Sequence, residues 1–98
     1  MKDALTAVIL TPSREKARIA CVSVGLVSRD NERGEGGGGF GIMRGHLPLV
    51  AALEPGSEVK ITPPDGAPAR FRITGGFAMV QNDTVTVITD GAEEIYPG

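Results

Sequence analysis

Apolar and polar residues alternate with a period of two along several short stretches of this chain. Residues 70–74 read Arg-Phe-Arg-Ile-Thr, and residues 84–87 read Thr-Val-Thr-Val. A period of two places one side of a β-strand in a core and the other side in water. Turn residues recur between such stretches every roughly 8 to 12 residues, and no stretch shows a convincing helical period. The pattern therefore predicts an all-β sandwich or barrel.

The strand-like stretches are residues 4–10, 16–28, 40–43, 47–53, 57–62, 69–74, 77–81 and 84–89. Residues 16–28 are predicted to form strand throughout, because they are mostly β-branched or apolar. The Pro-Pro-Asp-Gly-Ala-Pro segment at residues 63–68 and the Asn-Asp pair at residues 82–83 predict chain reversals. The Gly-Gly pair at residues 75–76 predicts a bulge or a sharp bend. The acidic tail, residues 90–98, is expected to be a solvated terminus.

A polar, glycine-saturated segment begins at Arg29 and ends at Gly39. It has no apolar residue to bury, so we expect a long, mobile insertion loop. Gly34, Gly36 and Gly39 match the G-x-G-x-x-G spacing of dinucleotide-binding sites, but that site needs a helix after the glycines. An extended Phe-Gly-Ile segment follows instead, which favours a surface loop that another molecule can approach closely.

Composition excludes several classes of protein. With 98 residues, a net charge of −2 and a pI of about 5.3, the chain fits one soluble domain without the basic stripe of a nucleic-acid binder. It has no apolar run approaching the ~18 residues of a membrane span and no secretion signal. Cys21 is the single cysteine, which agrees with a reducing, cytoplasmic-side location.

Catalytic and metal-binding residues cannot be assembled in a usual way. His46 is the only histidine, so no common zinc set is present and no nucleophile has an obvious base. The acidic residues Asp90, Glu93 and Glu94 match no calcium loop. The sequence therefore predicts no catalytic residue, no metal site and no cofactor.

A longer motif carries a family resemblance. Residues 40–56 read F-G-I-M-R-G-H-L-P-L-V-A-A-L-E-P-G and closely resemble the epsilon-subunit segment of F-type ATP synthases, usually F-G-I-L-P-G-H-A-P-L-L-A-A-L-K-P-G. Residues 74–80 and 85–88 are similar to a second block of that family, and residues 8–12 to its first strand and T-P turn. The resemblance covers nearly the whole chain.

The resemblance implies a flattened β-sandwich of about ten strands in two sheets, here a single domain over residues 1–98. It also implies a non-catalytic rotor subunit of the central stalk that couples ion flow through the membrane c-ring to ATP synthesis. The implied partners are the gamma subunit, the polar loops of the c-ring and the other subunits of the synthase. Such a subunit lies peripherally on the cytoplasmic side of a bacterial inner membrane and contacts that membrane only through the complex.

By the same resemblance, the edge that faces the c-ring includes the glycines before the F-G-I motif and the G-H turn after it. The residues at those positions are Gly36, Gly37, Gly38, Gly39, Phe40, Arg44, Gly45 and His46. Two features depart from the family: Arg44 replaces the usual proline, and the segment that starts at Arg29 is longer than the usual turn and lacks its proline. The ring contact is therefore expected to be built differently from that of typical members.

Family members usually continue as a helical hairpin that can bind ATP and, when extended, inhibits hydrolysis. If Gly98 is the natural end of the chain, both properties are expected to be missing; if the chain is a piece of a longer one, they are merely removed. An alternative function is a free-standing β-sandwich that binds a ligand or peptide with its glycine loop. That alternative predicts a pocket lined by loop residues. The rotor subunit instead predicts a sizeable exposed apolar patch where a sheet face meets gamma.

Overall fold

The computed structural model describes residues 4–29 and 37–96 and forms ten β-strands within them. These are β1 (Leu5–Leu10), β2 (Glu15–Cys21), β3 (Ser23–Ser28), β4 (Gly38–Met43), β5 (Leu49–Leu53), β6 (Glu58–Thr62), β7 (Ala69–Ile73), β8 (Gly76–Gln81), β9 (Thr84–Ile88) and β10 (Ala92–Glu94). In the described residues, no helix is long and apolar enough to cross a membrane.

Strand β3 joins two halves of the sheet. One half contains β4, β6, β7 and β10, the other contains β5, β8, β9, β1 and β2, and the pairing order is β10-β7-β6-β3-β5-β8-β9-β1-β2 with β4 on β3. The start of β3 pairs with β6, Ser28 at its end pairs with Leu53 of β5, and β4 runs along its other edge. Buried side chains from both halves form one core. The predicted all-β sandwich of about ten strands is confirmed.

The core follows the sequence alternation. Phe71, Ile73, Val85 and Val87 are all at most 5% exposed, as the period of two predicts. The largest fully buried side chains are Leu5, Ile9, Leu26, Ile42, Leu53, Ile61, Ile73, Val24, Val59, Val80, Val85 and Val87. In the described part of the chain, no buried side-chain polar atom lacks a hydrogen-bond partner. The interior is therefore built from branched aliphatic residues, which are stiff and suit a pleated sheet.

The prediction of continuous strand over residues 16–28 is wrong at one point. The chain bends at Val22, whose backbone N–H donates to the carbonyl of Thr62 (2.8 Å), and this bend separates β2 from β3. The buried positions change phase across the bend: Cys21 is buried at the end of β2, whereas Val24 and Leu26 are buried in β3. In a single strand, residues buried on one face are separated by an even number of positions, whereas Cys21 and Val24 are three positions apart.

Two boundaries also differ from prediction. The acidic tail forms the short strand β10, in which Glu93 pairs with Arg72 of β7, because the two strands offer each other backbone partners and opposite charges. At the glycine segment, β4 already begins at Gly38, where the register pairs it with Ser28. Residues 30–36, the centre of the expected mobile loop, lie outside the described residues.

Candidate partner-binding surfaces

The outer face of the half that contains β5, β8, β9 and β1 is apolar. We call this surface the apolar face and define it by Val50, Ala52, Phe77, Met79, Ile88 and Leu10. Strand register brings these residues together, because Val50 lies opposite Met79, Phe77 opposite Ile88, and Ile88 opposite Leu10. Large apolar patches on a soluble domain mark sites where another molecule binds.

Exposure on this face is high for residues of their type. Val50 is 68% exposed, Phe77 55%, Ile88 46% and Met79 39%. The side chains between them on β8, Ala78 among them, point into the core, so β8 is apolar on both sides. A strand with apolar residues on both sides is typical of a sheet that is covered on both faces.

The outer face of the other half is charged and serves as a contrast. Glu58 accepts hydrogen bonds from Arg70, at 2.8 Å from Nε, and lies 3.6 Å from Nη2 of Arg72. Lys60 lies opposite Arg70, and Glu93 opposite Arg72. The arginines are exposed and Glu58 is partly exposed, so water reaches the pairs and each contributes under about 1 kcal/mol to stability. The domain thus has one apolar and one charged outer face.

The described part of the glycine segment lies at a free sheet edge. Gly37, Gly38 and Gly39 are exposed, Phe40 is half-buried against the core, and among the described strands β4 pairs with β3 alone. Gly39 and Gly41 leave the backbone open because a Cβ there would meet little or nothing within 4 Å. Gly36 lies outside the described residues. A partner can therefore approach the main chain of this edge closely.

Arg44, Gly45 and His46 form the turn between β4 and β5. Gly45 has a positive φ of 82°, and its N–H donates to Oδ1 of Asp83 at 2.7 Å. His46 is exposed, and its Nδ1 donates to the carbonyl of Leu47 at 2.7 Å. This turn is held against the β8–β9 hairpin, so at least Gly45 has a structural role beside any role in binding.

The two groups of predicted ring-contact residues lie at opposite ends of β4. Gly38 begins the strand and Arg44 follows its last residue. At about 3.3 Å per strand residue, six residues separate the two groups by roughly 20 Å. We call the end with Gly37 to Gly39 the glycine end; the turn of residues 11–14, the turn of residues 54–57 and residues 89–91 lie there too, as the strand registers require. The structure does not bring all the predicted residues together at one end.

The described part of the glycine segment forms only a small cleft, and it lacks the helix that a dinucleotide site needs. The described residues contain no group of three or more His, Cys, Asp or Glu side chains that could hold a metal ion. Gly39 of the dinucleotide-like spacing lies in strand β4 rather than before a helix. An open cleft lined by Gly37, Gly38, Gly39 and Phe40 has a volume of about 290 Å³, at the lower limit for small-molecule sites, which is roughly 300 Å³. The apolar face is the more prominent feature.

A family model matches this fold and sequence. The model, described as the β-sandwich domain of the ATP synthase delta/epsilon chain, matches residues 5–95. The chain belongs to this family. The match covers both blocks of the resemblance. The described residues form ten strands and no helix, in agreement with the β-sandwich that the family description names.

Individual relatives agree with the family assignment. The chain is 40% identical over 91 residues to the ATP synthase epsilon chain of Anaeromyxobacter sp. (strain Fw109-5), which covers 92% of this chain and 61% of that relative. Across five curated epsilon chains, this chain spans 41% to 61% of the relative's length.

Two solved structures share the fold. A chain in the Euglena gracilis mitochondrial ATP synthase OSCP/F1/c-ring structure superposes with a TM-score of 0.76 and 22% identity, covering 94% of this chain and 54% of that one. A chain in the Tetrahymena thermophila mitochondrial ATP synthase central stalk/c-ring structure gives 0.64 and 19%, covering 90% and 64%. At these identities the likeness establishes the fold alone.

Sequence reasoning missed the apolar face as a located surface. The signal was present in residues 77–80, Phe-Ala-Met-Val, which are apolar without interruption where a half-buried strand would alternate. The contributions of Val50 and Ile88 could not be read from the chain, because only the pairing of β5 and β9 with β8 places them beside Phe77 and Met79.

Proposed function

We propose that this domain is a non-catalytic rotor part of an F-type ATP synthase, bound to the gamma subunit of the central stalk through the apolar face. The observation that carries the proposal is that face itself: Val50, Phe77, Met79 and Ile88 are 39% to 68% exposed on one sheet surface in a chain of the epsilon family. Burying such a patch against a shaft stabilises the complex, since each Å² of apolar surface removed from water contributes about 25 cal/mol before the costs of association.

The exposed patch also favours the rotor over a free-standing binding module. A module that works alone gains nothing from an uncovered apolar sheet face, which promotes aggregation. The opposite face, with Glu58, Arg70 and Arg72, is polar and suited to water. The domain is therefore proposed to present its apolar face to gamma and its charged face to solvent.

We further propose that the glycine end contacts the polar loops of the c-ring. Phe77, Ile88 and Leu10 form the row of the apolar face nearest that end, because Leu53, which pairs with Gly76, lies opposite Ser28 at the same end. The shaft of the central stalk ends at the c-ring. We therefore propose that the glycine end, which lies next to the gamma contact, also reaches the ring. Under this proposal Gly37, Gly38, Gly39 and Phe40 make the ring contact, with Gly36 beside them in the chain.

Arg44, Gly45 and His46 are then proposed to contact the stalk away from the ring, because roughly 20 Å of strand β4 separates them from Gly38.

These contacts explain how the domain would transmit torque. A sandwich with a satisfied interior moves as one body, so a domain fixed to both shaft and ring turns with them and transmits torque between them. We propose that, in a bacterium, the domain lies at the cytoplasmic side of the inner membrane.

The test is complex formation with the gamma subunit of the same organism, measured by native mass spectrometry. The wild-type chain is expected to form a one-to-one complex. Met79→Glu places a charge on the apolar face and is expected to abolish it, whereas the matched variant Lys60→Glu, on the charged face, is expected to leave it intact. A folded wild-type chain that does not bind gamma would overturn the proposal and leave the binding module as the better account.

A further inference from the structure

A cleft of about 500 Å³ opens at the glycine end of the apolar face. It is lined by residues 10–12 after β1, by residues 74–77 between β7 and β8, and by residues 88–90 after β9. Its walls include the side chains of Leu10, Phe77 and Ile88, which also belong to the apolar face. The cleft is therefore a depression continuous with the surface that is proposed to meet gamma.

Two glycines form part of the cleft wall. Gly75 and Gly76 have φ values of 108° and 111°, a region that side chains rarely adopt. A Cβ on Gly76 would overlap the carbonyl oxygen of Ile88, and one on Gly75 would come within 3.3 Å of Pro55. The chain crosses here as bare backbone, so this wall of the cleft carries no side chain.

The two threonine hydroxyls beside the cleft are already satisfied within the domain. Oγ1 of Thr89 donates to the carbonyl of Gly91 (3.1 Å), the N–H of Gly91 donates to Oγ1 of Thr74 (3.0 Å), and the two threonine hydroxyls lie 3.3 Å apart. Since Thr89 already donates elsewhere, Thr74 donates to Thr89 and the three bonds form a closed set. A guest in the cleft finds no unmet hydrogen-bond partner in this set, which favours an apolar guest.

One negatively charged residue, Asp90, lies at the rim of the cleft. Asp90 is exposed, and no described side chain forms an ion pair or hydrogen bond with its carboxylate. A carboxylate beside an apolar depression is complementary to a partner that inserts an apolar side chain and carries a cationic residue next to it. A side chain with an apolar stem and a cationic end is complementary in the same way. The cleft thus combines apolar walls, a satisfied polar floor and one negative group.

We infer that this cleft is the anchor site for a large apolar side chain of the gamma subunit, with a basic residue of gamma placed beside Asp90. The inference rests on the proposed function for its choice of partner. The few residues that dominate an interface fill apolar pockets of the partner, whereas flat surroundings contribute little. Phe77, in the cleft wall, is therefore a major determinant of affinity, and Val50, on the flat part of the same face, is a minor one.

The first experiment compares matched truncations in the full chain by calorimetry with gamma. Phe77→Ala is expected to weaken binding by at least about tenfold, and Val50→Ala by less than about threefold, although Val50 is the more exposed side chain of the two. Asp90→Asn is expected to weaken binding about fivefold at low salt and less at high salt, as a rim charge pair does. Equal losses for the two truncations, or no loss for Asp90→Asn, would overturn the inference.

A second experiment needs no gamma. Free indole is titrated into the isotope-labelled chain, and the shifted amide signals are mapped by NMR. Shifts confined to Thr11, Gly75, Gly76, Phe77 and Asp90, and lost when gamma is added, are the expected result. Indole shifts elsewhere would overturn the cleft as an apolar site. Failure of the wild-type chain to bind gamma, with indole still in the cleft, would instead refute the proposed function and this choice of partner.

Discussion

The backbone N–H of Gly45 donates a 2.7 Å hydrogen bond to Oδ1 of Asp83, which lies 38 residues further along the chain. The carbonyl of Asp83 in turn accepts from the N–H of Thr6 at 3.0 Å. One residue of the β8–β9 turn therefore fixes both the turn after β4 and the start of β1. Asn82 and Asp83 have positive φ values of 52° and 56°, which the short side chains of Asn and Asp tolerate.

Removal of the Asp83 carboxylate tests this link. Asp83→Gly keeps the positive φ available but deletes the acceptor, so we expect the free energy of unfolding to fall by about 1 kcal/mol. Asp83→Asn retains an Oδ1 acceptor and is expected to lose less. Urea denaturation of both variants measures the difference, and equal losses would show that the bond to Gly45 contributes nothing to stability.

Gly76 is predicted to tolerate no side chain. Gly76→Ala combines a positive φ of 111° with overlap on the carbonyl of Ile88, and we expect a loss of more than about 3 kcal/mol or failure to fold. Gly41→Ala is the matched control, since a Cβ there meets nothing within 4 Å, and its effect is expected to stay within about 0.5 kcal/mol. Thermal unfolding of the two variants checks the contrast; a stable Gly76→Ala would disprove the close crossing at this point.

Two substitutions at the glycine end are predicted to affect folding and ring binding differently. At Gly39 the nearest atom to a new Cβ is the carbonyl of Leu26, at an ordinary 3.8 Å, whereas Gly38 has a φ of 134°. Gly39→Val is therefore expected to fold normally yet weaken binding to the c-ring, and Gly38→Val is expected to lose about 1 to 3 kcal/mol of stability from strain.

Arg44→Glu is the comparison at the other end of β4. It alters the proposed stalk contact, so it is expected to weaken binding to gamma and to leave binding to the c-ring unchanged. Co-purification with gamma and with the c-ring, each tested separately after circular dichroism has shown the variants to be folded, distinguishes the ends. Loss of ring binding in Arg44→Glu, with Gly39→Val unaffected, would reverse the orientation proposed for the domain.

Cys21 is predicted to make stability fall at alkaline pH. Its side chain is 0% exposed, and burial raises the pKa of the thiol from its ordinary value, an effect partly offset by a hydrogen bond with the backbone of Ala7. The folded state then holds the proton more tightly than the unfolded state, so the contribution is complete below the unfolded pKa, about 8.5, and is lost as the pH rises through the folded pKa.

The measurement is urea denaturation at pH 7 to 10 for the wild type and for Cys21→Ala. The wild type is expected to show an alkaline decline that the variant lacks, although the variant is less stable at neutral pH because of the volume it leaves empty. Rapid modification of Cys21 by a thiol reagent in the folded state at pH 8 would contradict the buried position.

The alternation of residues 70–74 and 84–87 was sufficient to predict which side chains enter the core, because a period of two fixes the two faces of a strand. Strand ends were less predictable. Val22 is apolar and β-branched like its neighbours, so nothing in its type marks the bend, and only the change of buried phase between Cys21 and Val24 indicates it. Strand β10 depends on β7 for its hydrogen bonds and carries no pattern of its own.

For the partner surfaces, the motif of residues 40–56 predicted the family, but not the geometry. The single ring-facing edge that it predicted stays a prediction, and the structure adds that Gly38 and Arg44 lie at opposite ends of strand β4, roughly 20 Å apart. The cleft beside Asp90 brings together three segments of the chain, residues 10–12, 74–77 and 88–90. Contacts of that kind follow from the sheet register, which local sequence does not specify.

Strand β1 pairs in parallel with β9, so the second edge of residues 6–10 is covered only after residues 84–88 have been synthesised. On the ribosome, the β1–β2 hairpin therefore emerges long before its other neighbour has been synthesised. Leu5, Ala7 and Ile9 must then stay unburied until nearly the whole domain has been translated. Contacts of such high sequence separation slow folding and expose unpaired edges. The last strands of this domain therefore determine when the first strand is fully paired.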